Sequence, residues 1–222
     1  MAGRIAHLCV RLTSKLAFAL RQREQTSVRP LSISIVSLNR SLFALLWGLF
    51  ALAASAAVPI PTPAQDQTFS YEDKDFGVSS TSTPQGPPFG KPTPITIPGA
   101  RVIKTLQLKA LLDSEQRPVV IDVLDSKTRT TVPGAYWMPG AGDSRFFAAE
   151  KGRFAAALDK LTGGDKTRPV VFICLSSECW ESYNACLHAV EAGYTDVLWY
   201  RGGTNAWGGA NLERKPPERL NW

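Results

Sequence analysis

Two cysteines flank a short polar loop, and their thiols are the most reactive groups in the sequence. Cys174 and Cys179 are separated by Leu-Ser-Ser-Glu, and Trp180 follows directly. A thiolate is a nucleophile for sulfur or redox chemistry, and backbone N–H groups and a helix N-terminus stabilise it. Two such cysteines can also form a redox-active or a structural disulfide, provided that their Cα atoms come within about 7 Å. The spacing leaves these alternatives open.

The elements around this loop alternate between strands and helices, which predicts a single parallel α/β domain. Residues 118–124 (PVVIDVL) and 169–174 (PVVFIC) are continuous apolar runs, typical of strands that are buried on both faces. The remaining pattern predicts short strands over 101–105, 132–139 and 196–200, and helices over 105–115, 145–161, 180–194 and 202–207. Thr105 is the expected N-cap of the first helix, and Gly193 the expected end of the third.

The candidate site follows from this topology, because parallel α/β sheets bind ligands at the carboxyl ends of their strands. Cys174 ends one buried strand, and we predict that Cys174 and Cys179 carry the chemistry. The expected binding residues lie in the loop or at the end of the neighbouring strand: Ser176, Ser177, Glu178, Trp180 and Asp122. Glu178 is expected to raise the pKa of a nearby thiol, since like charges disfavour the thiolate.

Other side chains near this region have structural alternatives. Trp180, Trp199, Tyr200 and Trp207 are candidates for an apolar wall that a ligand such as a quinone would contact, with core packing favoured for Trp207. Cys186 lies about two helical turns beyond Cys179 and is expected in the core. A metal site that adds Cys186 and His188 to the cysteine pair matches no standard zinc spacing, and residues two apart on a helix diverge, so we expect no metal.

The charge distribution points to an export segment. The net charge is +6, but residues 1–56 hold seven basic side chains against one acidic residue, so residues 57–222 net to zero. This removes the basis for a nucleic-acid partner. Residues 42–54 are apolar and end in Ala54-Ser55-Ala56, which is typical of a cleaved signal peptide and short for a membrane span of ~20 residues. An uncleaved anchor is the alternative, and Ala64 offers a second cleavage point.

Export with cleavage predicts a periplasmic protein that has no stable membrane anchor and lies in an oxidising compartment. Residues 57–98 contain nine prolines and little that favours a helix or a core strand. We interpret them as an extended arm that docks on the domain or on a partner, with a disordered linker as the alternative. Residues 99–222 then form the folded domain.

The order of motifs over residues 100–210 resembles the rhodanese-like superfamily. The matching pieces are VVIDVL, VPGAYWMP, the strand–Cys–loop–helix unit around Cys174, and AGYTDVLWYRGGTNAW. More narrowly, the chain resembles the PQQ-dependent catabolism-associated CXXCW motif proteins. The shared features are the export segment, the arm, IDVL, the Cys-Trp loop, and Asn184 with Ala185 at the helix start.

The resemblance implies an exported accessory protein of pyrroloquinoline quinone (PQQ)-dependent alcohol catabolism, with a PQQ-dependent dehydrogenase or its electron acceptor as partner. The sequence itself shows no cofactor fingerprint. Cys174 matches the catalytic cysteine of rhodaneses, and Cys179 is the expected resolving partner. Two departures argue against efficient thiosulfate turnover: residues 175–179 contain no Arg or Lys, and Leu124 stands where many rhodaneses have Arg. The alternatives are therefore a non-catalytic binding module and, third, a thiosulfate sulfurtransferase.

Overall fold

A six-stranded parallel sheet forms the centre of the protein in the computed structural model, which describes residues 57–60, 67–126 and 129–222. The strand order is β1-β5-β4-β2-β3-β6, and every neighbouring pair is parallel. The strands are β1 (Arg101–Val102), β2 (Val119–Asp122), β3 (Tyr136–Trp137), β4 (Val170–Ile173), β5 (Val197–Tyr200) and β6 (Glu218–Arg219). This confirms the predicted α/β fold class. The short edge strand β6 has no apolar run and was not expected.

Four helices flank the sheet: α1 (Thr105–Asp113), α2 (Ala148–Thr162), α3 (Trp180–Glu191) and α4 (Gly203–Gly209). Side chains alternate between the two faces of each strand, as the period of two requires. In β4, Val170 and Phe172 join the apolar cluster that contains residues of α2 and α3. Val171 and Ile173 join the cluster on the other face, with residues of α1 and α4. The central strands are therefore buried on both sides.

The segment 67–98 contains no helix or strand and lies along α3. Side chains of α3 bond part of its backbone: Tyr183 Oη bonds both the N–H and the C=O of Thr81. Asn184 does the same for Gln85 at 2.8 Å. Proline has no backbone N–H to donate to a neighbouring strand, so in a proline-rich chain side-chain partners of this kind satisfy backbone hydrogen-bonding groups.

Glu72 of this segment contacts the start of α1, which differs from the prediction. The predicted N-cap Thr105 is instead the first helical residue, and Lys104 precedes it as the N-cap. The Glu72 carboxylate accepts hydrogen bonds from the Thr105 N–H at 2.8 Å and from its hydroxyl at 2.7 Å. A carboxylate from elsewhere in the chain thus supplies the acceptor that the N-cap side chain normally provides.

The predicted export segment, residues 1–56, and the second cleavage point after Ala64 lie outside the described residues. Within the part of the chain that the structure describes, no helix combines the length and the apolar character needed to cross a membrane.

Arg201 joins the segment 67–98 to the end of β5. Its side chain is only 1% exposed. The guanidinium donates to the hydroxyl and the carbonyl of Thr93 at 3.1 and 3.0 Å, and to the Glu72 carbonyl at 2.9 Å. A buried guanidinium is stable only when its donors are satisfied, so these bonds hold two distant points of the segment against the domain.

We expect Arg201→Met to lower the free energy of unfolding by about 3 kcal/mol, because the buried acceptors at Thr93 and Glu72 lose their donors. Urea denaturation followed by tryptophan fluorescence measures this. The control is Arg153→Met, since Arg153 is exposed and, among the described residues, forms its ion pair with Glu150 at 3.2 Å. Equal stability of the two variants would contradict the anchoring role of Arg201.

Candidate redox site

The site begins where β4 ends. All four residues of β4 are buried, and Cys174 follows them directly. The carbonyls of Cys174 and Leu175 accept hydrogen bonds from Thr204 N–H at 3.0 Å and Asn205 N–H at 2.9 Å. The start of α4 therefore fixes the first part of the loop.

Gly203 allows this close approach. Its φ is +61°, in the left-handed region, and a Cβ at this position would lie 2.5 Å from the Leu175 carbonyl carbon. Only glycine meets both conditions without strain.

Cys174 and Cys179 are joined by a disulfide bond. Their Cα atoms are 6.3 Å apart, which lies within the range that a disulfide spans. Cys179 is the N-cap residue of α3, so the bond connects the end of β4 to the start of this helix. Both cysteines are buried, with 1% and 5% of their surface exposed. The structure thus selects the bonded form from the alternatives that the spacing leaves open.

Glu181 brings a carboxylate against both sulfurs. Its Oε2 atom lies 3.5 Å from Cys174 Sγ and 3.4 Å from Cys179 Sγ. Partial burial raises the pKa of Glu181 to about 6, while the Asp125 N–H acts to lower it and the negative charges of Asp125 and Asp122 raise it further. The carboxyl group that contacts the sulfurs therefore changes its protonation state close to neutral pH.

Asp122 forms an ion pair with Arg129 at the end of β2. Asp122 is fully buried, and its Oδ2 lies 2.5 Å from Arg129 Nη2. Its Oδ1 accepts a hydrogen bond from Leu124 N–H at 3.1 Å. Burial raises the pKa of Asp122 to about 6, and the Arg129 guanidinium opposes this rise. Arg129 thus supplies a positive charge near the site from outside the cysteine loop, where the sequence shows none.

The other predicted binding residues shape the loop or face outward. Ser176 Oγ accepts a hydrogen bond from Glu178 N–H at 3.2 Å, and Glu178 is exposed. The Ser177 carbonyl accepts from both the N–H and the hydroxyl of Thr93. Trp180 is buried and donates from Nε1 to the Pro92 carbonyl at 3.1 Å. These contacts join the loop to the proline-rich segment.

The structure contradicts the suggested aromatic wall. Trp180, Trp199 and Tyr200 are 3%, 0% and 0% exposed, respectively. Trp199 and Tyr200 belong to β5, which lies between β1 and β4, so their rings pack into the two apolar layers on opposite faces of the sheet. Burial at this level leaves too little ring surface for the three side chains to form a wall against a ligand.

Sequence reasoning missed Glu181 and Arg129. Glu181 lies in the first turn of α3, where an acidic residue is common because the helix dipole stabilises its charge, so its position does not distinguish a site residue from a surface residue. Arg129 lies in the connection between β2 and β3, far in sequence from Cys174. A search for acidic residues one turn or less from each cysteine is the signal that finds Glu181.

Cys186 is fully buried, and burial raises the pKa of its thiol well above the ordinary value. This agrees with its expected place in the core. Among the described residues, the two sulfurs of the disulfide and the Glu181 carboxylate are the only close group of metal-type donor atoms, all within 4.8 Å. Sulfurs bonded to each other are not thiolates, and thiolates are the form of cysteine that binds metals.

The fold and the cysteine pair define an α/β protein with a disulfide at the carboxyl edge of a parallel sheet. Residues 104–210 match the family model described as the Rhodanese-like domain, so the chain carries a rhodanese-like domain. No curated protein gives a significant match to the sequence.

Solved structures with low sequence identity show similarity over about half of the chain. The thiosulfate sulfurtransferase from Pseudomonas aeruginosa is 20% identical, with 55% of this chain and 22% of that one covered and a TM-score of 0.41. A full-length protein from Lactobacillus plantarum is 19% identical, with coverages of 49% and 80% and a TM-score of 0.37. The chain thus spans less than a quarter of the length of the Pseudomonas aeruginosa protein.

The raised pKa of Glu181 predicts a pH dependence of stability. Its folded-state pKa of about 6 exceeds the ordinary 4.5, so the stability it contributes is complete below about pH 4.5 and is lost as the pH rises through 6. After allowance for its partial exposure, we expect this loss to be about 1 kcal/mol. Urea unfolding of the oxidised protein at several pH values from about 4.5 to about 7.5 measures it.

Glu181→Gln should lose less stability over the same interval, since the amide does not titrate. Glu191→Gln on the same helix is the control, because Glu191 is exposed and forms an ion pair with Lys151 at 2.5 Å. If Glu181→Gln keeps the full decline of the unchanged protein, the carboxyl group at the sulfurs does not titrate in this range.

Proposed function

We propose that this rhodanese-like protein uses the Cys174–Cys179 disulfide for thiol redox or sulfur handling. One observation carries the proposal: the two cysteines are bonded to each other at the junction of β4 and α3, with a carboxylate against both sulfurs. Cys174 occupies the strand end where rhodaneses place their catalytic cysteine, as the resemblance implies. Cys179, at the first turn of α3, is the resolving partner.

In thiol redox, a dithiol substrate reduces the pair by two exchange steps. A substrate thiolate attacks Cys174 Sγ, the protein S–S bond breaks, and Cys179 leaves with the electron pair. The second thiol of the substrate then attacks the substrate sulfur of the mixed disulfide, and Cys174 leaves with the electron pair. The substrate becomes a disulfide, and the protein gains two protons as two thiols.

In sulfur handling, Cys174 carries a persulfide that it receives from a sulfur donor. The Cys179 thiolate attacks the Cys174 sulfur that is bonded to carbon, and hydrosulfide leaves with the electron pair. The protein disulfide re-forms, and the proton of Cys179 accompanies the hydrosulfide as hydrogen sulfide. Both reactions use the same pair: the first leaves it as two thiols, and the second leaves it bonded.

The proposal extends to the setting that the motifs imply. The export segment, the proline-rich arm and the Cys-Trp loop support an exported, periplasmic accessory protein of PQQ-dependent alcohol catabolism. An oxidising compartment favours the bonded form of the two cysteines. The partner would be a PQQ-dependent dehydrogenase or its electron acceptor, and PQQ itself would belong to that partner.

A non-catalytic binding module for such a dehydrogenase or its cofactor is the second candidate. The burial of both sulfurs favours it, because an external thiol must reach a sulfur that is at most 5% exposed. The backbone also covers the loop, since the Phe89 carbonyl accepts from Trp180 N–H at 3.0 Å and Gly90 pairs with Cys179. In this function the disulfide is a permanent structural link.

Thiosulfate sulfurtransfer is the third candidate, and the absence of Arg and Lys from residues 175–179 weighs against it. Formation of thiocyanate from thiosulfate and cyanide is its direct assay.

The redox function predicts which cysteine forms a mixed disulfide. In the reduced Cys179→Ser variant, a mixed disulfide with 5-thio-2-nitrobenzoate should persist on Cys174, because no second thiol is placed to displace it. Reduced protein with both cysteines should release a second thionitrobenzoate and end as the internal disulfide. Mass spectrometry of the intact protein and of its peptides measures both states.

Cys186→Ala is the control, and it should behave as the unchanged protein because Cys186 is buried in the core. If thiols cannot reduce the disulfide while the protein stays folded, the redox function is wrong, and the binding module is the better description.

A further inference from the structure

One oxygen atom lies within reach of both sulfurs of the disulfide. Glu181 Oε2 is 3.5 Å from Cys174 Sγ and 3.4 Å from Cys179 Sγ, so it can exchange a proton with either sulfur after a small adjustment. No other carboxylate among the described residues is in contact with the pair. Glu178, which is nearer to Cys179 in sequence, is exposed at the surface.

The position of Glu181 is fixed from two sides. Gly142 packs on its backbone so closely that a Cβ at 142 would lie 2.4 Å from the Glu181 carbonyl oxygen. The Asp125 backbone N–H donates to the carboxylate. A carboxylate held in this way needs only a small adjustment before a proton moves.

We propose that Glu181 is the proton donor and acceptor of the Cys174–Cys179 pair, an inference that rests on the proposed function. When a substrate thiolate attacks Cys174 and the S–S bond breaks, Cys179 leaves as a thiolate and takes the proton of the Glu181 carboxylic acid. In the reverse step, the Glu181 carboxylate removes the proton from the Cys179 thiol. The resulting thiolate attacks Cys174 Sγ, and the substrate thiolate leaves with the electron pair.

The surroundings explain why this pair needs a proton carrier. The groups that act on Glu181 are Asp122 at the end of β2, Asp125 and Arg129 from the following loop, and the two cysteines. The three carboxylates of this group, Glu181 included, outnumber its one guanidinium, so the surrounding charges disfavour a thiolate at the pair. A partly exposed carboxyl that titrates near neutral pH can take that proton and pass it to water.

The test follows the reaction of the reduced protein with 5,5′-dithiobis(2-nitrobenzoate) by stopped flow. The first release of thionitrobenzoate reports attack by Cys174, and the second reports its displacement by Cys179. Glu181→Gln should slow the second release roughly 100-fold at neutral pH, the lower range for general base catalysis, with little effect on folding. Above the pKa of the Cys179 thiol, the variant should regain the rate of the unchanged protein, because the thiol then ionises unaided.

Glu191→Gln, on the same helix but away from the sulfurs, should keep the rate of the unchanged protein. The pH profile of the unchanged protein is a second measurement. The rate of its second thionitrobenzoate release should rise as the pH passes through the pKa of Glu181. If Glu181→Gln matches the unchanged protein within about twofold at neutral pH, the proton role of Glu181 is wrong while the redox function stands. If the unchanged protein gives no second release, the proposed function itself is wrong.

Discussion

The chain leaves a strand buried on both faces at Cys174 and enters a helix at Cys179, and a disulfide closes the short loop between them. The start of α4 fixes the position of this junction, because the Cys174 and Leu175 carbonyls accept hydrogen bonds from its backbone N–H groups. The sheet fixes one end of the loop, and the first turn of α3 fixes the other. Glu181 lies in that turn, so the same constraint that sets the disulfide also sets the carboxylate beside it.

Electrostatics at this junction differ from those of a loop rich in arginine. The positive charge near the sulfurs comes from Arg129, which is already paired with the buried Asp122. The Glu181 carboxylate therefore lies in surroundings that favour its neutral form, since burial and two neighbouring acids act against its charge. Such a site suits a thiol that must gain and lose protons better than the binding of an anionic sulfur donor.

The proline-rich segment is part of the structure of the site. Its Pro92 carbonyl accepts a hydrogen bond from Trp180, and its Thr93 hydroxyl donates to the Ser177 carbonyl. Arg201, which follows β5, donates in turn to the Thr93 hydroxyl. Prolines offer no N–H to a sheet, and side chains of α3 bond the backbone of the segment at Thr81 and Gln85. The result is a cover over the cysteine loop, built from a stretch whose composition left a docked arm and a disordered linker as alternatives.

The sequence by itself determined the elements apart from the edge strand β6, and it determined the place of the cysteines. Apolar runs marked β2, β4 and β5, and helical spacing marked the helices to within a few residues, because these patterns are local and have fixed periods. It did not determine the partners of the cysteines. The disulfide, the contact of Glu181 with both sulfurs and the charge of Arg129 depend on distances between residues that the fold alone brings together. Only the tertiary structure decided these, because a carboxylate in a first helical turn has the same sequence pattern whether it faces water or a buried sulfur.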